Sequence, residues 1–176
     1  MKVTVFGGAH PSEGSAAYEE ARELGKLLAE HGHIVTTGGY YGTMEAVSRG
    51  ASEAGGHVIG VTCQDIEDWR GSKANAWVKE EIKKQTLLDR LKVLIESCDA
   101  AIALPGGPGT LTEISLMWNV MIVESLPPRP LTLVGSGWQS TFDQFFKEFE
   151  SYMPLRQREL LYFAKDVKTA ATKLES

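Results

Sequence analysis

A glycine-rich segment that also carries two threonines and a glutamate is the part of this sequence best suited to chemistry. It reads Pro-Gly-Gly-Pro-Gly-Thr-Leu-Thr-Glu over residues 105–113 and follows the apolar run Ala100–Leu104, which is typical of a buried strand. The three glycines leave room for a ligand beside the backbone. A helix that starts near Pro108 leaves the N–H groups of residues 109–111 without helical partners. Because these groups carry the positive end of the helix dipole, the segment predicts an anion site, such as one for a phosphate.

Glu113 and Arg90 are the candidate catalytic residues. Glu113 lies about one helical turn beyond Gly109, so its carboxylate can point back over the anion site. A glutamate here can also simply favour the start of a helix, and a helical arginine is most often a solvated partner of residues such as Asp89 or Glu81. Taken alone, the residue types favour these structural roles for both side chains.

Two earlier glycine-rich turns are expected at the same edge of the sheet. Gly7–Gly8 follows the first predicted strand, and Gly38–Thr43 follows the second. In open parallel sheets, ligands bind outside the carboxyl ends of the strands, where the strand order reverses. The residues predicted to bind substrate or phosphate are Gly8, Gly38, Gly39, Gly42, Thr43, Gly106, Gly107, Gly109 and Thr110.

The elements that must position these residues form an α/β pattern, because short apolar runs alternate with segments of helical period. We expect a single domain over residues 1–176, with a doubly wound parallel sheet of about six to seven strands and helices on both faces. Six strands are predicted at Val3–Phe6, His33–Thr37, Val58–Thr62, Ala100–Leu104, Leu131–Val134 and Leu160–Ala164. Helices are predicted at Ser15–His31, Met44–Ala54, Ala76–Ser97, Gly109–Glu124 and Trp138–Tyr152, with a further helix at the terminus. Residues 63–75 are predicted to form a loop near the mouth of the site, and Trp69, Trp77 and His10 are weaker candidates for substrate contacts.

Composition excludes several classes of function. The net charge of −5 argues against binding to a nucleic-acid polymer, since such proteins usually present a basic face. Cys63 and Cys98 lack C-x-x-C spacing and are interpreted as core residues, and the histidines lack the spacing of a helical zinc site. We therefore predict no metal and no cofactor. No signal peptide is recognised and no apolar stretch approaches the roughly 18 residues of a membrane span, so we expect a cytoplasmic protein without membrane contact.

The segment over residues 105–113, together with Arg90, resembles the motif of the LONELY GUY family, which is Pro-Gly-Gly-x-Gly-Thr-x-x-Glu with an upstream arginine. The turns after the first two strands and the third strand are also similar to that family. The resemblance covers roughly residues 1–135 and implies a Rossmann-like homodimer.

The activity implied by this resemblance is hydrolysis of the N-glycosidic bond of a nucleoside 5′-monophosphate, which releases a free base and ribose 5-phosphate. In cytokinin-activating members the base is an N6-substituted adenine. Glu113 would stabilise positive charge on the ribose or orient the attacking water, and Arg90 would contact the substrate or hold Glu113 in place. The implied partner is a small nucleotide, and the implied chemistry requires neither a metal nor a cofactor.

The sequence departs from the common family pattern in the second turn and at the end of the third strand. The turn lacks a third consecutive glycine and continues Gly42-Thr-Met-Glu45, so Glu45 stands where a small residue is usual. The third strand ends in Val61-Thr-Cys63 in place of Ile-Pro-Lys. These features resemble divergent branches that include a molybdenum-cofactor carrier. The alternative function is therefore non-catalytic binding of a nucleotide or of molybdenum cofactor.

Overall fold

The computed structural model describes residues 1–174 and arranges their strands in one parallel sheet of seven strands. The strands are β1 (Lys2–Phe6), β2 (Ile34–Thr37), β3 (Val58–Cys63), β4 (Glu80–Lys84), β5 (Ala100–Ala103), β6 (Leu131–Val134) and β7 (Tyr162–Ala164). Their order is β4-β3-β2-β1-β5-β6-β7, so the winding direction reverses between β1 and β5. Phe6 and Ala103 pair at that point, which brings the carboxyl ends of β1 and β5 together. The predicted doubly wound α/β fold is confirmed.

Helices cover both faces of the sheet and enclose two hydrophobic clusters. They are α1 (Ala16–Glu30), α2 (Thr43–Glu53), α3 (Gln64–Arg70), α4 (Leu87–Glu96), α5 (Pro108–Ile122), α6 (Ser136–Glu148), α7 (Leu155–Arg158) and α8 (Val167–Lys173). One cluster contains side chains of α1, α2 and α8, and the other contains side chains of α4, α5 and α6. A 3-10 turn at Glu150–Tyr152 follows α6, so that helix is shorter than predicted. Among residues 1–174, no helix is both long and apolar enough to span a membrane.

The prediction of one helix over Ala76–Ser97 is wrong, because the first part of this segment is the edge strand β4. Its sequence Glu-Glu-Ile-Lys-Lys is polar, and Ile82 is its one apolar residue, packed against the second hydrophobic cluster. Charged residues are common on edge strands, where they oppose pairing with another chain. Glutamate and lysine also favour helices, so the strand resembled the start of α4.

The start of α4 is set by Thr86. The Thr86 hydroxyl accepts a hydrogen bond from the Asp89 N–H at 3.1 Å and donates one to the Asp89 carboxylate at 2.8 Å. This pairing resembles a capping box, and it makes Leu87 the first helical residue. The predicted loop over residues 63–75 is also wrong in part, since it contains α3, which ends at Gly71 in the left-handed conformation.

Candidate functional site

A cavity of about 480 Å³ lies beyond the carboxyl ends of β1, β2, β3 and β5. All three predicted glycine-rich turns approach it, and the helices α3, α4 and α5 supply the rest of its wall. Its place at the reversal of strand order is the usual position of a ligand site in an open parallel sheet. A second cavity of about 450 Å³ lies between α1 and α2, but charged side chains that pair with one another dominate its wall. The first cavity is therefore the candidate site.

The start of α5 exposes backbone donors to this cavity. Gly107 is the N-cap, and Pro108 is the first helical residue and has no N–H. The Leu111 N–H donates to the Gly107 carbonyl at 3.0 Å, so the prediction that residue 111 is free to bind a ligand is wrong. The N–H groups of Gly109 and Thr110 donate to no protein group in the part of the chain that the structure describes. Two adjacent donors at the positive end of the helix are thus available to an anion.

Gly107 and Gly109 are not explained by the packing of the protein. A Cβ atom at either position would meet no atom within 4 Å, and neither residue has a positive φ. Both residues line the cavity. Open space in front of the backbone allows a ligand to approach these two positions closely.

Gly106 and Gly8 have a different reason to be glycine, because they join the turns after β5 and β1. A Cβ atom on Gly106 would lie 2.1 Å from Oγ1 of Thr110 and 3.0 Å from the Gly8 nitrogen. The Gly8 N–H donates to the Pro105 carbonyl at 3.3 Å. Gly8 and the buried Thr110 line the cavity, whereas Gly106 is not part of its lining. The turns after β1 and β5 are thus in direct contact next to the free N–H groups at the start of α5.

The three glycines of the turn after β2 lie outside the cavity, next to residues that line it. Gly38, Gly39 and Gly42 are absent from the cavity lining. A Cβ atom on Gly38 would lie 2.1 Å from Nη2 of Arg90, so a glycine here makes room for the guanidinium. Gly39 and Gly42 have φ values of 77° and 71°, a region that favours glycine. These three residues shape the turn, and the structure does not place them in the cavity.

Thr43 also lies outside the cavity lining. Its hydroxyl and its N–H both donate to the Gly8 carbonyl, at 3.0 Å and 2.9 Å. The contact ties the start of α2 to the turn after β1. Tyr40 and Met44 are the residues of this region that line the cavity, while Glu45 is not part of the lining. The carboxylate of Glu45 therefore does not oppose a ligand anion from the cavity wall.

Arg90 is buried, although the sequence alone favoured a solvated surface role. It is 5% exposed, and its Nε and Nη2 atoms donate to the carbonyls of Val61 at 2.8 Å and Gly38 at 3.1 Å. Its guanidinium carbon lies 5.5 Å from the ring centroid of Tyr40. These contacts hold the side chain against the ends of β2 and β3. The remaining nitrogen, Nη1, lies 3.9 Å from Oε1 of Glu113.

Glu113 is a buried carboxyl group in the wall of the same cavity. It is 8% exposed, and no residue described by the structure donates a hydrogen bond to its carboxylate. Burial raises the pKa of Glu113 to about 7, and the positive charge of Arg90 opposes this rise. Near neutral pH the group therefore exists in both protonation states. A carboxyl group with such a pKa is suited to transferring protons or to stabilising a developing positive charge.

The wall formed by α3 was not predicted in this form. Asp65, Ile66, Trp69 and Arg70 line the cavity, and so does the exposed His10 from the turn after β1. The helix had a recognisable signature, since acidic residues occupy its first turn and an arginine followed by a glycine ends it. Among residues 1–174 no group of three or more histidine, cysteine, aspartate or glutamate side chains could hold a metal ion.

A comparison with protein families finds a match to the SLOG cluster4 family over residues 1–123, which include β1 to β5 and all of α5. The chain is also 28% identical over 184 aligned residues to the probable cytokinin riboside 5′-monophosphate phosphoribohydrolase of Oryza sativa subsp. japonica. That alignment covers 99% of this chain and 77% of the rice protein. The resemblance to the LONELY GUY family is confirmed.

Solved structures with the same fold include two proteins that handle molybdenum cofactor. The molybdenum cofactor binding protein of Rippkaea orientalis has a TM-score of 0.77 at 23% identity, with coverage of 99% of this chain and 96% of that one. The molybdenum cofactor carrier protein of Chlamydomonas reinhardtii has a TM-score of 0.73 at 27% identity, with coverage of 99% and 97%. The first likeness concerns the fold alone, and the second is also one of sequence.

Proposed function

The chain belongs to the SLOG cluster4 family, and on this premise we propose that it hydrolyses the N-glycosidic bond of a purine nucleoside 5′-monophosphate. The products are the free base and ribose 5-phosphate. The observation that carries the proposal is the position of Glu113. Its buried carboxyl oxygen Oε1 lies 3.9 Å from Nη1 of Arg90, and both residues line the same cavity as the free N–H groups at the start of α5. The name of the rice relative, a probable cytokinin riboside 5′-monophosphate phosphoribohydrolase, supports the same reaction class.

The 5′-phosphate is assigned to the start of α5. The free N–H groups of Gly109 and Thr110 and the hydroxyl of Thr110 would bind its oxygens, and Gly107 and Gly8 would leave room for it. A phosphate held there places the attached ribose inside the cavity that Glu113 lines. Because Glu113 lies three residues after Thr110 on the same helix, the phosphate site and the carboxylate have a fixed spacing.

The reaction divides the work between the carboxylate and the guanidinium. The bond between C1′ of the ribose and the base nitrogen breaks, and its electron pair leaves with the base. The ionised carboxylate of Glu113 stabilises the positive charge that develops on the ribose ring and accepts a proton as water forms its bond to C1′. A proton returned through solvent neutralises the departing base. Arg90, fixed by two backbone carbonyls, positions Glu113 and lowers its pKa toward the ionised form.

The test is an assay for release of free base from AMP, from other nucleoside monophosphates and from N6-isopentenyl-AMP. We expect release of base and ribose 5-phosphate in equal amounts from at least one purine substrate. A Glu113→Gln variant should lower kcat by about 100-fold or more, as the loss of an acid–base group usually does. Absence of release above the Glu113→Gln level with every substrate would overturn the proposal.

A carrier protein that binds without hydrolysis is the second candidate. Its support is the Chlamydomonas reinhardtii molybdenum cofactor carrier protein, which shares the fold across nearly the whole chain at 27% identity. Equilibrium binding measured beside the hydrolysis assay separates the two functions. Tight binding of molybdenum cofactor, with no release of base from any nucleotide, would favour the carrier.

We also propose that the protein acts as a homodimer whose contact involves α5. This helix carries apolar side chains on most of its sides, including some that a single chain leaves exposed. Leu111 and Leu116 are 41% and 37% exposed, and Val123, just after the helix, is 61% exposed. Exposed apolar residues grouped on one element are typical of a protein contact surface. A second copy of the chain would cover them.

A further inference from the structure

The candidate site has an aromatic wall that the proposed reaction does not yet use. Trp69 lines the cavity from α3, yet 75% of this residue is exposed. Ile66 from the same helix and Leu87 from α4 also line the cavity, so this part of the wall contains apolar side chains beside the charged Asp65 and Arg70. An indole ring left open to solvent gains little from the packing of its own chain, and it can gain much from a flat ligand.

Arg70 covers one side of this indole ring. Its guanidinium carbon lies 4.6 Å from the ring centroid of Trp69, within the range of a cation–π contact. The contact holds the ring, and the high exposure of Trp69 shows that the rest of the ring remains accessible. Trp69 and Arg70 together therefore present a flat surface at the mouth of the cavity.

Trp77 provides an internal comparison. It too lies beneath an arginine, with the guanidinium carbon of Arg49 5.3 Å from its ring centroid. Trp77 is half-buried and is not part of the cavity lining. An arginine over a tryptophan is therefore not special in this chain, and the feature that distinguishes Trp69 is its exposed ring in the wall of the cavity.

The two parts of the cavity wall match the two ends of a nucleotide. The start of α5 offers backbone donors and the Thr110 hydroxyl, which suit a phosphate. The α3 wall offers the indole ring of Trp69 and the aliphatic side chain of Ile66, next to the charged Asp65 and Arg70. Bases of every kind stack on aromatic side chains because each base has a flat π-face. We infer that Trp69, held by Arg70, is the stacking surface for the purine base of the nucleoside monophosphate. The inference rests on the proposed function, since it takes the phosphate to lie at α5.

The test measures binding in Glu113→Gln protein, so that the ligand is not consumed. AMP and ribose 5-phosphate are titrated separately while tryptophan fluorescence is recorded. We expect AMP to change the fluorescence of the Glu113→Gln protein. The change should disappear in a double variant that also carries Trp69→Phe, and it should persist in one that also carries Trp77→Phe. Ribose 5-phosphate should compete with AMP without producing the Trp69 signal.

Affinities measured by calorimetry give the second readout. Trp69→Ala should weaken AMP binding about 5- to 100-fold, the usual effect of removing a base-stacking side chain, and leave ribose 5-phosphate binding unchanged. Trp69→Phe should restore most of the AMP affinity, because it retains an aromatic ring. The inference is overturned if AMP does not bind at all, or if Trp69→Ala binds AMP as tightly as its Glu113→Gln parent does. It is also overturned if Trp69→Ala loses affinity for AMP and for ribose 5-phosphate to the same extent.

These outcomes are distinct from those that test hydrolysis. AMP that binds on Trp69 in the protein with Glu113 intact, yet releases no adenine, would remove the proposed reaction and leave the stacking surface in place. If the Trp69→Ala variant hydrolyses AMP with the same KM as the unaltered protein, the proposed reaction stands and the stacking role of Trp69 is removed.

Discussion

At the scale of single residues, Glu113 links the chemistry of the site to the stability of the fold. In the unfolded chain its carboxyl group has a pKa near the ordinary value of 4.5, and in the folded protein burial raises the pKa to about 7. The folded state therefore binds the proton more tightly. Its contribution to stability is fully present below about pH 4.5 and is lost as the pH rises through about 7. Ionisation of this one buried group costs about 3 kcal/mol of folding free energy.

Glu113→Gln should consequently stabilise the protein in a pH-dependent way. At pH 8 the variant avoids the cost of a buried carboxylate, so its free energy of unfolding should exceed that of the unaltered protein by up to about 3 kcal/mol. At pH 4.5 the difference should be much smaller, since Glu113 is then protonated in the folded state. Urea unfolding at both pH values measures the effect, and Glu20→Gln, at an exposed position of α1, is the control. A gain of the same size at both pH values would contradict this account.

The same pKa predicts how the rate depends on pH. If the ionised carboxylate is the working form, kcat/KM should rise with pH and level off above an apparent pKa of about 7. Arg90→Gln removes the positive charge that lowers the pKa of Glu113 and keeps an N–H donor for the nearby carbonyls. The rise should therefore move to higher pH in this variant, measured with the same substrate so that ionisation of the phosphate is common to both profiles. A rise that stays at the same pH in Arg90→Gln would show that another group controls it.

At the scale of elements, α5 can be tested by comparing two glycines in equivalent positions. Gly109 is the second residue of α5 and Gly137 is the second residue of α6, and a Cβ atom at either would meet nothing within 4 Å. Alanine at each position should leave stability unchanged or raise it by up to about 1 kcal/mol, because alanine favours helices. Gly109→Ala alone should weaken the binding of ribose 5-phosphate, since its methyl group would occupy the space in front of the free N–H groups. Thermal unfolding and calorimetric titration of both variants check the two halves of this prediction.

The sequence predicted the position of a strand correctly where the strand is buried on both faces or is followed by a glycine-rich turn. Five strands, β1, β2, β3, β5 and β6, lie within about one residue of their predicted positions, because continuous apolar runs leave few other ways to bury them. The edge strand β4 was missed for the opposite reason. Its charged residues are exposed or half-buried, and its one apolar side chain, the half-buried Ile82, is not enough to distinguish a strand from the first turn of a helix.

For the site, sequence could indicate which residues were present but not where they point. The spacing from Gly109 to Glu113 placed the carboxylate about one helical turn beyond the anion site, and both residues lie on α5 in the structure. The burial of Arg90 depends on carbonyls of β3 and of the turn after β2, which lie 29 and 52 positions away in the chain. No local pattern encodes such a contact, and only the resemblance to a family drew attention to this residue. The supporting role of Thr43 likewise follows from a tertiary contact, its two hydrogen bonds to Gly8.

At the scale of the whole molecule, the site and the proposed dimer contact share one helix. The first turn of α5 provides the donors for a phosphate, while Leu111 and Leu116 of the same helix remain exposed on a single chain. Association through α5 would cover these side chains and restrict movement of the helix that carries Glu113. We therefore expect assembly to support catalysis as well as solubility, and loss of the dimer to reduce kcat without removing the residues of the site.

Leu116→Glu tests this connection, because it places a charge on the exposed side of α5. The unaltered protein should have twice the mass of one chain in light scattering after size-exclusion chromatography, and the variant should have the mass of one chain, since burying an unpaired carboxylate at an interface is costly. Leu155→Glu is the matched control: Leu155 is more exposed, at 67%, but lies on α7 and should leave the mass unchanged. Base release should fall in Leu116→Glu and recover in part at high protein concentration, where association resumes. A single-chain mass for the unaltered protein, or a dimer in Leu116→Glu with full activity, would show that α5 is not the contact.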